Sequence, residues 1–232
     1  PFILNTNLPL LNHYWSLGVE EQFYLFWPWL NRILKKNIQK GILIIIAAFL
    51  IIKLLIHRYY FNSIADTAFQ ITRFDCMMVG AYMAIIFKKQ QKGLLRLIDN
   101  KITQILSWLI ILLIVLNKYH IATVIDHEII SVVTGVLIIG QINIKNRIIN
   151  LDIRIMDVLG KISYGIYVIH PLIIFLFAKL LSNMQMNNLV KYIVVYITAI
   201  TATIFVAYLS YQYFEKYFLK LKEKFSVVKS YS

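Results

Sequence analysis

The chain has 232 residues, of which 59% are hydrophobic and only 15% are charged. A soluble domain of this length needs about a quarter of its residues charged, so the composition excludes an ordinary water-soluble protein. The net charge of +13 does not indicate nucleic acid, because the basic residues form short clusters between long apolar runs, as in cytoplasmic membrane loops. We therefore predict membrane lipid as a partner and no nucleic acid.

A helix needs about 20 mostly apolar residues to cross the hydrocarbon core of a bilayer. By this criterion the sequence predicts an all-α, polytopic membrane helix bundle. Seven segments qualify as spans: 15–34, 41–57, 67–87, 102–119, 127–144, 157–179 and 190–214.

The charges of the connecting loops support this count. Most of the 24 basic residues follow the first, third, fifth and seventh segments, and positive loops stay in the cytoplasm. This predicts that residue 1 lies on the outer side of the membrane and that the C-terminus lies in the cytoplasm. Arg73 falls within a predicted span, and the few basic residues assigned to the opposite, outer side are Lys53, Arg58, Lys118, Lys179 and Lys191.

The first predicted helix carries a polar face at its outer end. Ser16, Glu20, Tyr24 and Trp27 follow one another at i, i+4, i+8 and i+11, so they share one side of a helix. Two interpretations remain open. The residues form an interfacial belt with the acids in water, or they face a polar cavity, as acids beside apolar runs usually do.

The third predicted helix contains Arg73 and Asp75. Ionisable groups this deep in an apolar segment cost about 2.5–3.5 kcal/mol each unless they are paired or hydrated. Because they are two residues apart, they cannot face each other along one helix. Each therefore needs a partner elsewhere, and Glu20 or Glu21 is a candidate partner for Arg73. A structural salt bridge between helices and a contact with substrate are both compatible with this pattern.

The sixth predicted helix aligns Ser163, Tyr167 and His170 on one face. Pro171 removes a backbone donor, so we expect a kink there and a freed carbonyl near His170. His170 then either makes a structural hydrogen bond or lines a polar cavity. An imidazole is suited to proton transfer near neutral pH.

Metal and disulfide chemistry are not predicted. The single cysteine, Cys76, excludes an intrachain disulfide and a cysteine-based zinc site. No two histidines have the i, i+4 spacing of a zincin helix, and His127-Glu128 lacks a second histidine.

Three segments together resemble a known family. Residues 13–24 read HYWSLGVEEQFY, residues 73–84 read RFDCMMVGAYMA, and residues 159–171 read LGKISYGIYVIHP. Their residues and order are similar to the motifs of the acyltransferase-3 family, the membrane enzymes that O-acylate lipopolysaccharide, capsule, peptidoglycan and related glycans. The closing segment, Ser210 to Lys216, matches less well, because Lys216-Tyr217 stand where the family usually has a proline.

The resemblance implies a membrane O-acyltransferase, most often an O-acetyltransferase, of the bacterial cytoplasmic membrane. Acyl-CoA would be the donor co-substrate, usually acetyl-CoA from the cytoplasmic side, and no cofactor would stay bound. The acceptor would be a hydroxyl of an envelope polysaccharide or lipid-linked glycan. Supporting catalytic roles are expected for Glu20, Arg73, Asp75 and His170. Substrate-binding roles are expected for Trp15, Ser16, Gln22, Tyr24, Ser163, Tyr164 and Tyr167.

The family's candidate catalytic base is a histidine in a first membrane helix that this sequence does not contain. The family typically has ten spans, and three missing spans would explain the abrupt, outer start at Pro1. We therefore expect residues 1–232 to be one N-terminally truncated acyltransferase-3-like domain, inactive alone. The alternative is a non-catalytic membrane protein that exports or flips a surface polysaccharide. A seven-helix receptor has only the number of spans in its favour.

Overall fold

The structure is a computed structural model that describes residues 12–181 and 187–225. These residues are mostly helical, and no strand occurs among them. The α-helices are α1 Trp15–Leu34, α2 Ile38–Tyr59, α3 Ile64–Thr72, α4 Phe74–Lys88, α5 Lys92–Ile98, α6 Lys101–Val115, α7 Asp126–Ile142, α8 Arg154–Leu181, α9 Asn188–Ser210 and α10 Lys216–Phe225.

The predicted all-α membrane fold is confirmed. Three helical stretches of the described residues are long and apolar enough to cross a membrane: Trp15–Tyr59, Arg154–Leu181 and Leu189–Leu221. The pair α5 and α6, bent by 47°, would make a fourth. The first stretch, 45 residues long, contains two of the predicted spans, α1 and α2. The seven predicted spans are roughly consistent with the structure, although α4, with 15 residues, is shorter than a full crossing needs.

The break between α1 and α2 lies at Lys35, whose φ of 38° is left-handed. A short 3₁₀ turn, Lys35–Asn37, joins the two helices. Gly41 lies against Leu34 there, and a Cβ at position 41 would meet the leucine at 2.6 Å.

The described residues form two compact units. The first is residues 12–151, and the second is residues 152–181 together with 187–225. In the first unit, α4 packs against both α2 and α7, and α6 packs against α7. Its apolar cluster centres on Phe23, Ile38, Ile42 and Met78. Phe74 is close to both Phe23 and Phe49, with ring centroids 6.2 and 6.3 Å away.

Large apolar side chains cover the outside of the first unit. Leu25, Trp29 and Ile33 on α1 are 69%, 64% and 75% exposed. Burying such surface in lipid stabilises it, whereas in water it would be an aggregation site. This arrangement is that of a membrane protein.

The predicted continuous span 67–87 is wrong in one respect, because the helix breaks at Arg73. This residue is in the left-handed conformation, with φ 47° and ψ 28°, and it separates α3 from α4. Ser63 caps the start of α3 by accepting a hydrogen bond from the backbone N–H of Asp66 at 3.1 Å. The Asp66 carboxylate in turn contacts His57 Nδ1 of α2 at 3.2 Å and accepts from Gln70 at 2.9 Å. These bonds tie α3 to the end of α2.

In the second unit, α8 and α9 pack side by side. A Cβ placed on Gly165 of α8 would lie 3.3 Å from the side chain of Ala207 on α9. Ile155, at the start of α8, and Tyr208, at the end of α9, line one cavity, so the two helices are antiparallel. A π-helical turn, Tyr211–Glu215, joins α9 to α10.

Candidate active site

A cavity of about 370 Å³ opens in the first unit among α1, α3, α4 and α7. This volume lies within the range of small-molecule sites. The wall is mostly apolar with a few polar groups, the usual composition of a binding pocket. The lining residues are Trp15, Ser16, Val19, Glu20, Ile71, Arg73, Cys76, Met77, Gly80, Ile130, Ser131, Thr134, Gly135 and Ile138.

Arg73 is the only cationic residue of this lining. Its guanidinium lies 5.9 Å from the ring centre of Trp15, a distance at which cation–π attraction operates. Its Nη2 lies 3.3 Å from Nε2 of His127. The left-handed backbone at Arg73 places this side chain at the break between two helices, where it reaches α1 and α7 together. Strained residues of this kind cluster at functional sites.

The expected pairing of Arg73 with Glu20 or Glu21 is wrong. Among the ion pairs of the described residues, neither acid is a partner of Arg73. The reason is geometric, because Arg73 leaves the helix at the break and turns towards Trp15 and His127. Glu20 nevertheless lines the same cavity.

The face predicted on α1 divides into two parts. Ser16 and Glu20 line the cavity, as does Trp15, which was not part of that face. Ser16 Oγ donates to the carbonyl of His13 at 3.2 Å. Trp27 stacks on Phe23 instead, with ring centroids 5.7 Å apart.

The other two substrate-binding candidates on α1 are not among the lining residues. Tyr24 is 58% exposed, and Gln22 is exposed as well. Their predicted roles remain predictions.

Asp75, which precedes the lining residue Cys76, is fully buried, and it contacts a partner that the sequence did not suggest. Lys53 Nζ of α2 lies 2.5 Å from Asp75 Oδ2 and 2.8 Å from Glu128 Oε1 of α7. The three side chains are nearly inaccessible, at 2%, 0% and 8% of their surface. This triad, Lys53–Asp75–Glu128, connects α2, α4 and α7.

The loop charges group Lys53 with the residues of the outer side, but Lys53 does not lie in a loop. It is a buried residue inside α2. One signal in the sequence could have revealed it, because Lys53 is the only charged residue between Lys40 and Arg58. A lone intramembrane charge needs a buried partner. Nothing in the sequence, however, identifies which acid that partner is.

The triad also brings together groups that could suit a cation. Ligand atoms of Asp75, Cys76 and Glu128 lie within 4.8 Å of one another. The Lys53 ammonium already contacts both carboxylates and supplies the positive charge there. The donor set therefore fits an internal ion-pair cluster better than a metal centre.

The candidates on α8 belong to the second unit. Ser163 Oγ donates to the carbonyl of Gly160 at 2.8 Å, and Tyr164 is 56% exposed. The rings of Tyr167 and His170 lie 6.0 Å apart. The helix continues through Pro171, as far as Leu181.

His170 lies at the carbonyl that Pro171 leaves without its usual donor. In an α-helix the amide of residue 171 would bond to the carbonyl of residue 167, but proline has no amide hydrogen. His170 Nδ1 lies 2.8 Å from that Tyr167 oxygen. The expected freed carbonyl is thus beside His170, and the imidazole hydrogen-bonds to it.

The closing segment is also organised locally. Ser210 Oγ donates to Glu215 Oε1 at 3.1 Å, across the π-helical turn. A Cβ on Gly165 would lie 3.0 Å from the same carboxylate oxygen. The glycine in the 159–171 motif therefore allows the serine–glutamate pair to approach α8.

These features define a polytopic membrane protein with a ligand-sized, partly polar cavity in its helix bundle. The acyltransferase-3 family model, described as an acyltransferase domain, matches residues 2–212. The chain belongs to this family, and the match runs through both units. No curated protein and no solved structure matches the chain.

Proposed function

We propose that the protein transfers an acyl group, most often acetyl, from acyl-CoA to a hydroxyl of an envelope polysaccharide or lipid-linked glycan. Membership of an acyltransferase family supports transfer of an acyl group. In this reaction the sugar oxygen forms a bond to the acyl carbon and the carbon–sulfur bond breaks. The hydroxyl proton ends on the CoA thiol. The chemistry needs a base for that proton and a donor of positive charge for the carbonyl oxygen.

The single observation that carries the proposal is the cavity that Trp15, Glu20 and Arg73 line together. An aromatic ring beside a guanidinium and a carboxylate suits a sugar, whose ring has an apolar face and a rim of hydroxyls. Ser131 and Thr134 add hydroxyl groups to the same wall. We therefore assign the acceptor glycan to this cavity, with Trp15 against the sugar ring and Arg73 and Glu20 on its hydroxyls.

The loop charges support the placement of this site. The basic clusters follow α1, α4, α7 and α9, which favours a cytoplasmic C-terminus in a bacterial inner membrane. The start of α1, with Trp15, then lies at the opposite, outer side. An acceptor glycan assembled outside the cytoplasm would reach the cavity from there, and acyl-CoA would approach from the basic side.

The test is a Glu20→Ala substitution at the chromosomal gene. Surface glycan is purified from wild-type and variant cells, and its ester-linked acyl groups and its amount are measured separately. We expect the variant to lose acyl groups while the amount of exported polymer stays unchanged. Glu21→Ala, which changes the neighbouring acid outside the cavity lining, is the matched control and should retain acylation.

The second candidate function is export or flipping of a surface polysaccharide. The same experiment separates the two. Loss of surface polymer with normal acylation of the remainder would favour the transporter and overturn our proposal.

A further inference from the structure

Lys53 is unusual because it is a charge inside one of the most apolar helices of the chain. Residues 41–52 and 54–56, on either side of it, contain no charged side chain, and Lys53 itself is 3% exposed. A lysine at such a position costs several kcal/mol unless its charge is compensated. The sequence motifs that identify the family do not include it.

The compensation comes from two different helices. The ammonium lies 2.5 Å from the Asp75 carboxylate of α4 and 2.8 Å from the Glu128 carboxylate of α7. An ammonium has three donors, so one lysine can hold both acids. Removing one partner of such a buried cluster leaves an uncompensated charge and is strongly destabilising.

Asp75 lies beside residues of the proposed acceptor site, and Glu128 lies beside a residue that contacts Arg73. Asp75 precedes Cys76 and follows Arg73 by two positions, and both neighbours line the cavity. Glu128 follows His127, whose Nε2 is 3.3 Å from the Arg73 guanidinium. Holding Asp75 and Glu128 therefore fixes the first turns of α4 and α7, from which Arg73 and His127 approach each other.

We propose that Lys53 is a positioning residue of the acceptor site: through Asp75 and Glu128 it sets the separation of α4 and α7, and thereby places Arg73 in the cavity. The inference rests on the proposed function only for its kinetic readout. Lys53 does not touch the cavity itself, so its effect on the substrate is indirect.

The first test compares Lys53→Met with Lys53→Arg in membranes from cells carrying the chromosomal substitution. The KM for purified acceptor glycan is measured at saturating acetyl-CoA. We expect Lys53→Met to raise this KM on the order of tenfold or more. Displacements of about 1 Å at positioning groups can lower a reaction rate on the order of 100-fold. Lys53→Arg keeps the charge and should restore most of the affinity. Lys118→Met, on an exposed lysine outside the basic clusters, is the matched control and should leave KM unchanged.

A second variant covers the case in which Lys53→Met does not fold. The combination Lys53→Met, Asp75→Asn and Glu128→Gln removes all three charges, and neutral replacements of buried ion pairs are often tolerated. We expect this protein to be folded and still to have a raised KM. Asp75→Asn alone keeps the Lys53–Glu128 contact and should have a smaller effect. A wild-type KM in the neutral triple variant, or the same KM in the single and triple variants, would overturn the proposal.

A readout independent of acyl transfer separates this inference from the proposed function. Cys76 is the only cysteine of the chain and lines the cavity, so its reaction with a maleimide reports the cavity wall, with Cys76→Ser as the blank. We expect the labelling rate to change in Lys53→Met and to recover in Lys53→Arg. Unchanged labelling in Lys53→Met would contradict the positioning role. Absence of acyl transfer in wild-type membranes would refute the proposed function instead.

Discussion

Arg73 lies in a conformation that favours glycine, and this permits a test that separates its backbone from its side chain. At φ 47° and ψ 28°, a residue with a Cβ bears a cost of about 1–2 kcal/mol. Replacing Arg73 by glycine relieves that cost, but adds about 0.4–1 kcal/mol of unfolded-state entropy. It also removes the contacts with Trp15 and His127, each worth about 0.5–1 kcal/mol. The free energy of unfolding should therefore fall only slightly, by about 1 kcal/mol or less.

Arg73→Ala loses the same contacts and keeps the backbone cost. It should therefore be less stable than Arg73→Gly, by about 1 kcal/mol, or about 2–4 °C in Tm for a protein of this size. Both variants should lose glycan acylation, because neither has a guanidinium in the cavity.

The assay is thermal unfolding in detergent of the purified variants, together with the acyl content of glycan from cells carrying each substitution. An alanine variant as stable as the glycine variant would refute the left-handed break at position 73. Normal acylation by Arg73→Gly would refute the role of the guanidinium in the site.

Two further predictions concern packing and hydrogen bonding away from the cavity. Gly140→Ala should lower the free energy of unfolding by about 1–3 kcal/mol, as overpacking does, because its Cβ would lie 2.4 Å from buried Gln104. Gly93→Ala, with no atom within 4 Å, is the control in the same unfolding assay, and equal effects would contradict the packing. His170→Ala should lower the free energy of unfolding by about 1 kcal/mol more in the wild type than in a Pro171→Ala background. The reason is that alanine at position 171 restores an amide donor to the carbonyl of Tyr167. An additive double-mutant cycle would show that this hydrogen bond contributes nothing.

Helix formation was largely predictable from the sequence because it depends on local composition. Runs of about 20 apolar residues report lipid burial directly, and the predicted segment 15–34 coincides with α1. The break at Arg73 was not predictable in this way. Arginine is an ordinary helix former, and no glycine or proline marks the position.

The site was predictable only in part. Ser16 and Glu20 share a face at helical spacing, and they do line the cavity together with Trp15 and Arg73. The partner of Asp75 was missed because the contact with Lys53 joins residues 22 positions apart on different helices. Charge counting assigned Lys53 to a side of the membrane although it lies inside the predicted span 41–57, and it did not ask what would neutralise this lysine there. Pairing between helices depends on their packing, which hydropathy along one helix does not report.

The central claim is tested most directly by transfer of isotope-labelled acetyl groups from acetyl-CoA to envelope glycan. Membranes are prepared from a gene-deleted strain complemented with either the wild-type gene or its Arg73→Gly variant. We predict alkali-labile label on the glycan with the wild-type gene and background label with the variant, at equal protein abundance in the membrane. Membranes of the uncomplemented deletion strain are measured alongside. If they label the glycan as strongly as the wild-type membranes do, while export of the polymer depends on the gene, the proposed acyl transfer is contradicted.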